Sequence, residues 1–193
     1  YLLWALVVSL VLLVVLQLVF SARGPSAGGA TYEAGLAPYR SGDFSAAQNA
    51  WQSAAANGDP RAQYMLGYLV QNGLGQPWSN RRAAEWYHLA AAQGLPEAQA
   101  ALANLYLEGL GVQPDAERGV ALLREAAAAG HPPALFQYAQ LLFHGRWVAQ
   151  DFEAALTAFE AAAAGGSAAA ADYVDLANYL RPSPNAPQPL AQE

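Results

Sequence analysis

The sequence predicts an all-α protein in which stacked helical hairpins form a solenoid, preceded by a single transmembrane helix. Three observations support this fold class. The first twenty residues contain no charged side chain. Small residues then recur at a constant spacing of 36 positions through the middle of the chain. Alanine, which has the highest intrinsic helix propensity, dominates the repeated segments. Together these patterns favour a chain built from helices.

The N-terminal segment Tyr1–Phe20 is predicted to cross a lipid bilayer. As a helix it would be ~30 Å long, which matches the hydrocarbon thickness of a membrane. A helix satisfies its backbone hydrogen bonds internally, so it is stable in lipid. Tyr1 and Trp4 would then lie at one interface, where aromatic side chains are enriched. We therefore expect residues 1–20 to contact the bilayer.

Two alternatives to a transmembrane helix are open for this segment. It could be a cleaved signal peptide, although the apolar part of such peptides is shorter, at about 7–15 residues. It could also be a buried core helix, since it has no amphipathic face. Residues 21–30 are small and rich in glycine. We interpret them as a flexible linker with a root-mean-square reach of ~17 Å.

The repeat is visible in residues that recur 36 positions apart. A period held at several positions over three units indicates an array of helical repeats. Each unit contains one segment for a first helix, here called helix A, and one for a second helix, helix B. The recurring residues are Ala62, Ala98 and Ala134; Gly67, Ala103 and Ala139; Gly73, Gly109 and Gly145; the alanine pairs at 90–91, 126–127 and 162–163; and Gly94, Gly130 and Gly166.

Glycine is expected to end helix A in the first two full units. Gly73 and Gly109 are predicted to adopt the left-handed conformation that commonly follows a helix. A second glycine two residues later lets the loop turn again before helix B. In the third unit Arg146 and Trp147 replace the Leu-Gly pair. We therefore expect that loop to turn differently and Trp147 to be exposed.

The repeated segments carry a family resemblance. The pattern A-Q-Y-x-L-G-Y-x-x-x-x-G-x-G, followed by A-A-E-W-Y-x-x-A-A-x-x-G, resembles the Sel1-like repeat, a relative of the tetratricopeptide repeat. The resemblance covers about residues 62–166. It extends back over an N-terminal unit in which "GDF" replaces the glycine loop. It implies an adaptor that holds membrane complexes, envelope machines or signalling partners, and it does not imply an enzyme.

The solenoid is expected to occupy residues 31–180. Its units would span about 31–61, 62–97, 98–133 and 134–167, closed by a capping helix at 168–180, as solenoids require. Residues 181–193 form a proline-rich tail that cannot continue a helix.

The composition and residue spacing exclude several classes of function. The net charge is −6 and the nine basic residues, all arginines, are scattered, so nucleic-acid binding is not expected. Without cysteine there is neither a disulfide nor a thiolate metal site. His88, His131 and His144 lack the spacing of a metal site, and the "GLG" loops lack the strand and lysine of a nucleotide site. We expect no catalytic residue, cofactor or metal.

A stripe along the A helices is the candidate partner-binding surface, because solenoids bind through such faces. Its positions are not required for stacking, so either they bind a partner or they are simply solvated. Trp78 and Trp147 lie in loops and are candidate contacts for a partner or for lipid headgroups. The stripe consists of Met65, Tyr68, Asn72, Ala101, Asn104, Glu108, Gln137, Gln140 and His144.

These features predict a membrane-anchored protein–protein interaction scaffold. The alternative is an accessory subunit of an integral membrane complex, held by its transmembrane helix. The use of arginine without lysine suggests a GC-rich bacterial genome. We expect a single-pass protein of the bacterial inner membrane with a periplasmic solenoid. Arg23 is the only charge within residues 1–30, so the positive-inside rule does not decide the orientation of the anchor.

Overall fold

The computed structural model describes residues 31–180, which form nine α-helices joined by short connections, with no strand among them. The prediction of an all-α chain is confirmed for this part of the protein. The helices are α1 (Tyr32–Arg40), α2 (Phe44–Ala56), α3 (Pro60–Asn72), α4 (Asn80–Ala91), α5 (Pro96–Glu108), α6 (Ala116–Ala128), α7 (Pro132–His144), α8 (Phe152–Ala164) and α9 (Ala168–Leu180).

The helices pack in the order of the sequence. Each A helix (α1, α3, α5 and α7) forms a hairpin with the B helix that follows it (α2, α4, α6 and α8). Each B helix then packs against the A helix of the next unit, and α5 also contacts α7. Contacts between neighbouring units alone define a solenoid, so this part of the prediction is confirmed.

The three full units share the same helix-start and helix-end residues. In each, helix A has 13 residues and begins at a proline, whose fixed φ suits the first turn. Each ends before a glycine in the left-handed conformation, as predicted for the first two. The prolines are Pro60, Pro96 and Pro132, and the glycines are Gly73 (φ 65°), Gly109 (φ 67°) and Gly145 (φ 64°).

Side-chain caps start the B helices. In each case a side-chain oxygen accepts a hydrogen bond from a backbone N–H in the first turn, which stabilises a helix by ~1 kcal/mol. The sequence analysis did not identify these caps. They are Asp43, Ser79, Asp115 and Asp151.

Small residues on helix A make room for large ones on helix B. A Cβ atom added to Gly67 would lie 2.6 Å from the ring of Tyr87, which is 1% exposed. Ala103 and Ala139 occupy the same register in the next two units and are completely buried. Small residues at this register therefore allow helices A and B to approach each other closely.

The third loop differs from the sequence prediction. Trp147 has a φ of 61°, close to the 73° of Gly75 and Gly111 at the same register. The expectation that this loop turns differently is therefore wrong. The flanking Gly145 and Asp151 end and start their helices as in the other units. A loop of equal length between the same ends keeps its backbone path, and tryptophan is held in a conformation that favours glycine.

Helix α9 lies where the next A helix would be. Ala170 is 36 residues after Ala134, and both are completely buried. The helix packs against α8, and the ring of Tyr173 stacks on that of Phe159 with centroids 4.9 Å apart. It therefore covers the apolar end of the third unit.

The predicted transmembrane helix (1–20), linker (21–30) and tail (181–193) lie outside the described residues. Within residues 31–180, every helix is too short or too polar to cross a bilayer.

Candidate functional site

The candidate stripe occupies three repeated positions on α3, α5 and α7. The positions of Met65, Ala101 and Gln137, and those of Tyr68, Asn104 and Gln140, are half-buried. The last position of each helix, filled by Asn72, Glu108 and His144, is exposed. We call this surface, together with Tyr173 and Leu176 at the equivalent positions of α9, the A-helix face.

Tyr68 takes part in stacking between units. Its ring lies edge-on to Tyr39 of α1, with centroids 6.4 Å apart. Burial raises the pKa of Tyr39, and a side-chain hydrogen bond with Tyr68 adds to this effect. Asn72 donates from Nδ2 to the carbonyl oxygen of Tyr68 at 2.8 Å. Two of the three stripe residues of α3, Tyr68 and Asn72, therefore have partners within the protein.

The middle of the A-helix face carries smaller side chains with fewer polar contacts inside the protein. Helix α5 presents Ala101 and Asn104 where α3 has Met65 and Tyr68. Among the described residues, the side-chain amide of Asn104 has no hydrogen-bond partner. Asn104 is therefore the stripe residue whose polar group is most available to a ligand.

The third unit forms a cleft beside two stripe residues. The cleft has a volume of about 480 Å³. Gln140 donates from Nε2 to the hydroxyl of Tyr173 at 3.3 Å, whereas Oε1 of Gln137 is buried and accepts no hydrogen bond from any described residue. The small Ser167 stands where earlier units have Leu95 and His131, which opens the space. The lining residues are Pro132, Pro133, Phe136, Gln137, Gln140 and Gly165 to Ser167.

Glu108 and Trp147 are connected through one arginine. The guanidinium of Arg146 lies 3.4 Å from the carboxylate of Glu108 and 3.8 Å above the centroid of the Trp147 ring. His144 packs edge-on to Phe143 with centroids 5.1 Å apart. The structure therefore brings a loop residue and two stripe residues of different helices to the same end of the hairpins.

The two candidate loop tryptophans are both exposed. Trp147 is 37% exposed, as expected, and Trp78 is 71% exposed. Both follow the C-terminal end of an A helix. Large apolar side chains left in water are favourable contacts for a partner.

Glu97 is a candidate that the sequence analysis missed. Its Oε2 atom is buried and accepts no hydrogen bond within the described residues. It lies close to Tyr64 of α3, whose pKa is raised first by burial and then by the charge of Glu97. The register of Glu97 holds Arg61 in the preceding unit and Pro133 in the following one, and this change of side chain is the available sequence signal.

A second, polar cleft of about 410 Å³ is lined by residues that include His88, Arg118 and Glu125. Glu125 accepts a hydrogen bond from the buried Gln99 at 3.0 Å, which ties α6 to α5. No group of three or more potential metal-ligating side chains occurs among residues 31–180. Part of the polar lining of this cleft therefore serves the packing of α6 against α5.

Comparison with known proteins places the repeats in context. A profile of the Sel1 repeat matches residues 60–95, 96–131 and 132–167, which together make up more than half of the chain. The crystal structure of a Sel1 repeat protein from Oxalobacter formigenes is similar, with 29% identity and a TM-score of 0.69. That alignment covers 74% of this chain and 58% of the other.

A second similar crystal structure is that of c5321, a protective antigen present in uropathogenic Escherichia coli strains displaying an SLR fold. It is 27% identical with a TM-score of 0.63, over 68% of this chain and 28% of that one. The chain thus spans less than two thirds of the length of either protein. A search of curated proteins finds no match.

Proposed function

Because the chain belongs to the Sel1 repeat family, we propose that it is a scaffold that holds a protein partner on its A-helix face. Sel1 repeats generally mediate protein–protein interaction. The observation that carries the proposal is the cleft beside Gln137 and Gln140, together with the unpartnered amide of Asn104. These groups offer hydrogen bonds on a surface that stacking leaves partly open.

The variation along the A-helix face supports this assignment. At the register of Tyr68, Asn104 and Gln140 the three units carry different side chains, whereas the buried register of Gly67, Ala103 and Ala139 stays small. Tyr68 and Gln140 also contact neighbouring helices, so stacking explains part of their identity. The amide of Asn104 makes no hydrogen bond among the described residues, and a bound partner supplies a reason for it.

Membrane attachment is the second part of the proposal. The uncharged segment of residues 1–20 supports a single-pass anchor in the bacterial inner membrane, with the solenoid on the periplasmic side. The same segment favours the alternative of an accessory subunit whose helix packs against other transmembrane helices. The two functions differ in whether the A-helix face or the anchor carries the main interaction.

Capture of a partner by matched variants distinguishes them. Asn104→Trp places a bulky side chain in the middle of the A-helix face. The control Gln52→Trp places the same side chain on the exposed side of the B helix α2. The full chain is purified from membranes in mild detergent and bound proteins are identified by mass spectrometry. The scaffold proposal predicts a partner that is lost with Asn104→Trp and kept with Gln52→Trp. A partner kept by both variants contradicts it.

Removal of the anchor tests the membrane part. Deletion of residues 1–22 should move the protein from the membrane fraction to the soluble fraction as a folded helical domain, whose circular dichroism still shows the helices of residues 31–180. If the truncated chain stays with salt-washed membranes, the anchor is not its main attachment.

A further inference from the structure

Two buried oxygen atoms of the A helices lack hydrogen-bond donors. They are Oε2 of Glu97 on α5 and Oε1 of Gln137 on α7. Native proteins leave few buried polar atoms without a partner, because such atoms lose their hydration without compensation. Both orphans are acceptors. A ligand that satisfies them must therefore bring donors.

The two orphan groups are neighbours in the repeat. The position equivalent to Glu97 in the third unit is Pro133, and Gln137 lies one helical turn after it. Helices α5 and α7 contact each other. An offset of ~6 Å along the axes and ~9 Å between them places the two Cα atoms roughly 11 Å apart. That distance is within the span of a short peptide.

The charge that remains unpaired on the A-helix face is negative. Arg61 contacts Glu33 at 3.3 Å, and Arg146 contacts Glu108 at 3.4 Å, so these cations are neutralised. Glu97 lies one helical turn before Ala101 on the same side of α5 and so extends this face, and it has no cationic partner among the described residues. The chain as a whole carries a net charge of −6. The face is therefore complementary to a basic ligand.

The side chain that α5 presents between the orphan groups is short. Helix α5 carries Ala101 at the position where α3 has Met65 and α7 has Gln137. This short side chain leaves room for a peptide backbone to approach α5 between the larger side chains of the flanking units.

These observations rest on the proposed function and specify its partner. We propose that the A-helix face binds an extended, basic segment of a partner protein. An arginine or lysine side chain of that segment donates to Glu97, and an amide N–H about three residues further along donates to Gln137. An extended chain advances ~3.3 Å per residue, so three residues cover the separation. Arginine suits the site better than lysine, because it donates through a planar fork to a carboxylate.

Binding of short synthetic peptides to the full chain in detergent tests this partner chemistry. The first probe is an Ala/Ser peptide of about ten residues with one arginine and, three residues later, one asparagine. The second has glutamate in place of the arginine. Affinity is measured by NMR titration or fluorescence anisotropy. We expect the arginine peptide to bind and Glu97→Gln to weaken it by roughly tenfold. The control Glu160→Gln, which removes an exposed carboxylate on α8, should have little effect.

Charge reversal provides the second arm. Glu97→Arg should lose the arginine peptide and bind the glutamate peptide instead, while circular dichroism shows an intact fold. The proposal is overturned if neither peptide binds, if both bind equally, or if Glu97→Gln and Glu160→Gln weaken binding to the same extent, which would show general attraction to an acidic protein. These results leave the scaffold function standing if Asn104→Trp still abolishes partner capture. If Asn104→Trp leaves capture unchanged, the scaffold function itself fails.

Discussion

Trp147 is held in a backbone conformation that the equivalent loops fill with glycine. Its φ is 61°, and the left-handed region costs a residue with a Cβ atom ~1–2 kcal/mol. The ring is covered on one face by the guanidinium of Arg146, a contact worth about 0.5–1 kcal/mol at an exposed site. Strain of this kind is commonly kept where a side chain serves binding.

We expect Trp147→Gly to be more stable than Trp147→Ala by about 1 kcal/mol. Both variants lose the ring and its contact with Arg146, but alanine keeps the Cβ atom at positive φ. Thermal or urea unfolding of the pair measures the difference. Equal stability, or a more stable alanine variant, would show that the backbone at this position is not strained.

Gly109 combines a backbone requirement with a steric one. Its φ is +67°, and an added Cβ atom would lie 2.7 Å from Cγ of Pro114. Gly94 is a matched control, because its φ is +80° and no atom lies within 4 Å of its added Cβ. We expect Gly94→Val to destabilise the protein by ~1–2 kcal/mol and Gly109→Val by more. Similar free energies of unfolding for the two variants would show that the contact with Pro114 is unimportant.

Local chemistry explains which residues could be predicted. The left-handed glycines and the small residues at the register of Gly67 follow from rules that involve a turn or one neighbouring helix. The conformation of Trp147 depends on the fixed ends of its loop, and the buried oxygen of Glu97 depends on its packing within the fold. A pattern along the chain contains neither kind of information.

At the scale of elements, α9 closes the array. Tyr173 contacts the rings of Phe136, Phe143 and Phe159. Asp175 occupies the register that is small in the preceding A helices. In the preceding units a B helix packs closely against this position. A charged side chain there would be buried without a partner, so it opposes the packing of a further B helix. The helix therefore both covers the core and ends the pattern.

Two tyrosines of α9, one packed and one exposed, test whether the helix is part of the cooperative core. Tyr173→Ala should destabilise the protein by ~2–4 kcal/mol, because it leaves a cavity among aromatic rings. Tyr179 is 85% exposed, so Tyr179→Ala should change stability by less than ~0.5 kcal/mol. Denaturant midpoints of both variants test the assignment. A small effect of Tyr173→Ala would mean that α9 is not part of the cooperative core.

At the scale of the whole molecule, buried phenols connect stability to pH. Burial raises the pKa of Tyr87, Tyr64 and Tyr39 above the ordinary value of 10.0. The folded state thus favours the neutral phenol more than the unfolded state does. The stabilisation that the neutral buried phenols contribute is fully present below about pH 10. It is lost as the pH rises through the pKa values of the folded state.

We therefore expect the thermal unfolding temperature to fall as the pH is raised above about 10. Tyr64→Phe should make this fall shallower, because phenylalanine keeps the ring and removes one titrating group. Thermal unfolding followed by circular dichroism, in steps from pH 8 to pH 11, measures the effect. A variant that loses stability with pH as steeply as the parent would exclude Tyr64 as a contributor.

The architecture was predictable because each unit repeats the same local contacts. Residues such as Ala62 and Gly73 recur at one period, and stacking of neighbours follows from the period alone. The same register placed the candidate stripe on the A helices. Its chemistry was not predictable, since positions such as Asn104 and Glu97 are those that stacking leaves free to vary.

Site-specific photocrosslinking tests most directly whether the A-helix face is the partner-binding surface. A photoreactive amino acid replaces Asn104 on α5 or, as the control, Gln52 on α2, in the full chain within its native membrane. The scaffold account predicts a crosslinked partner from the position of Asn104 and none from that of Gln52. Crosslinks from Gln52 alone, or from neither position while a photoreactive group at Ser9 captures a protein, would contradict the account.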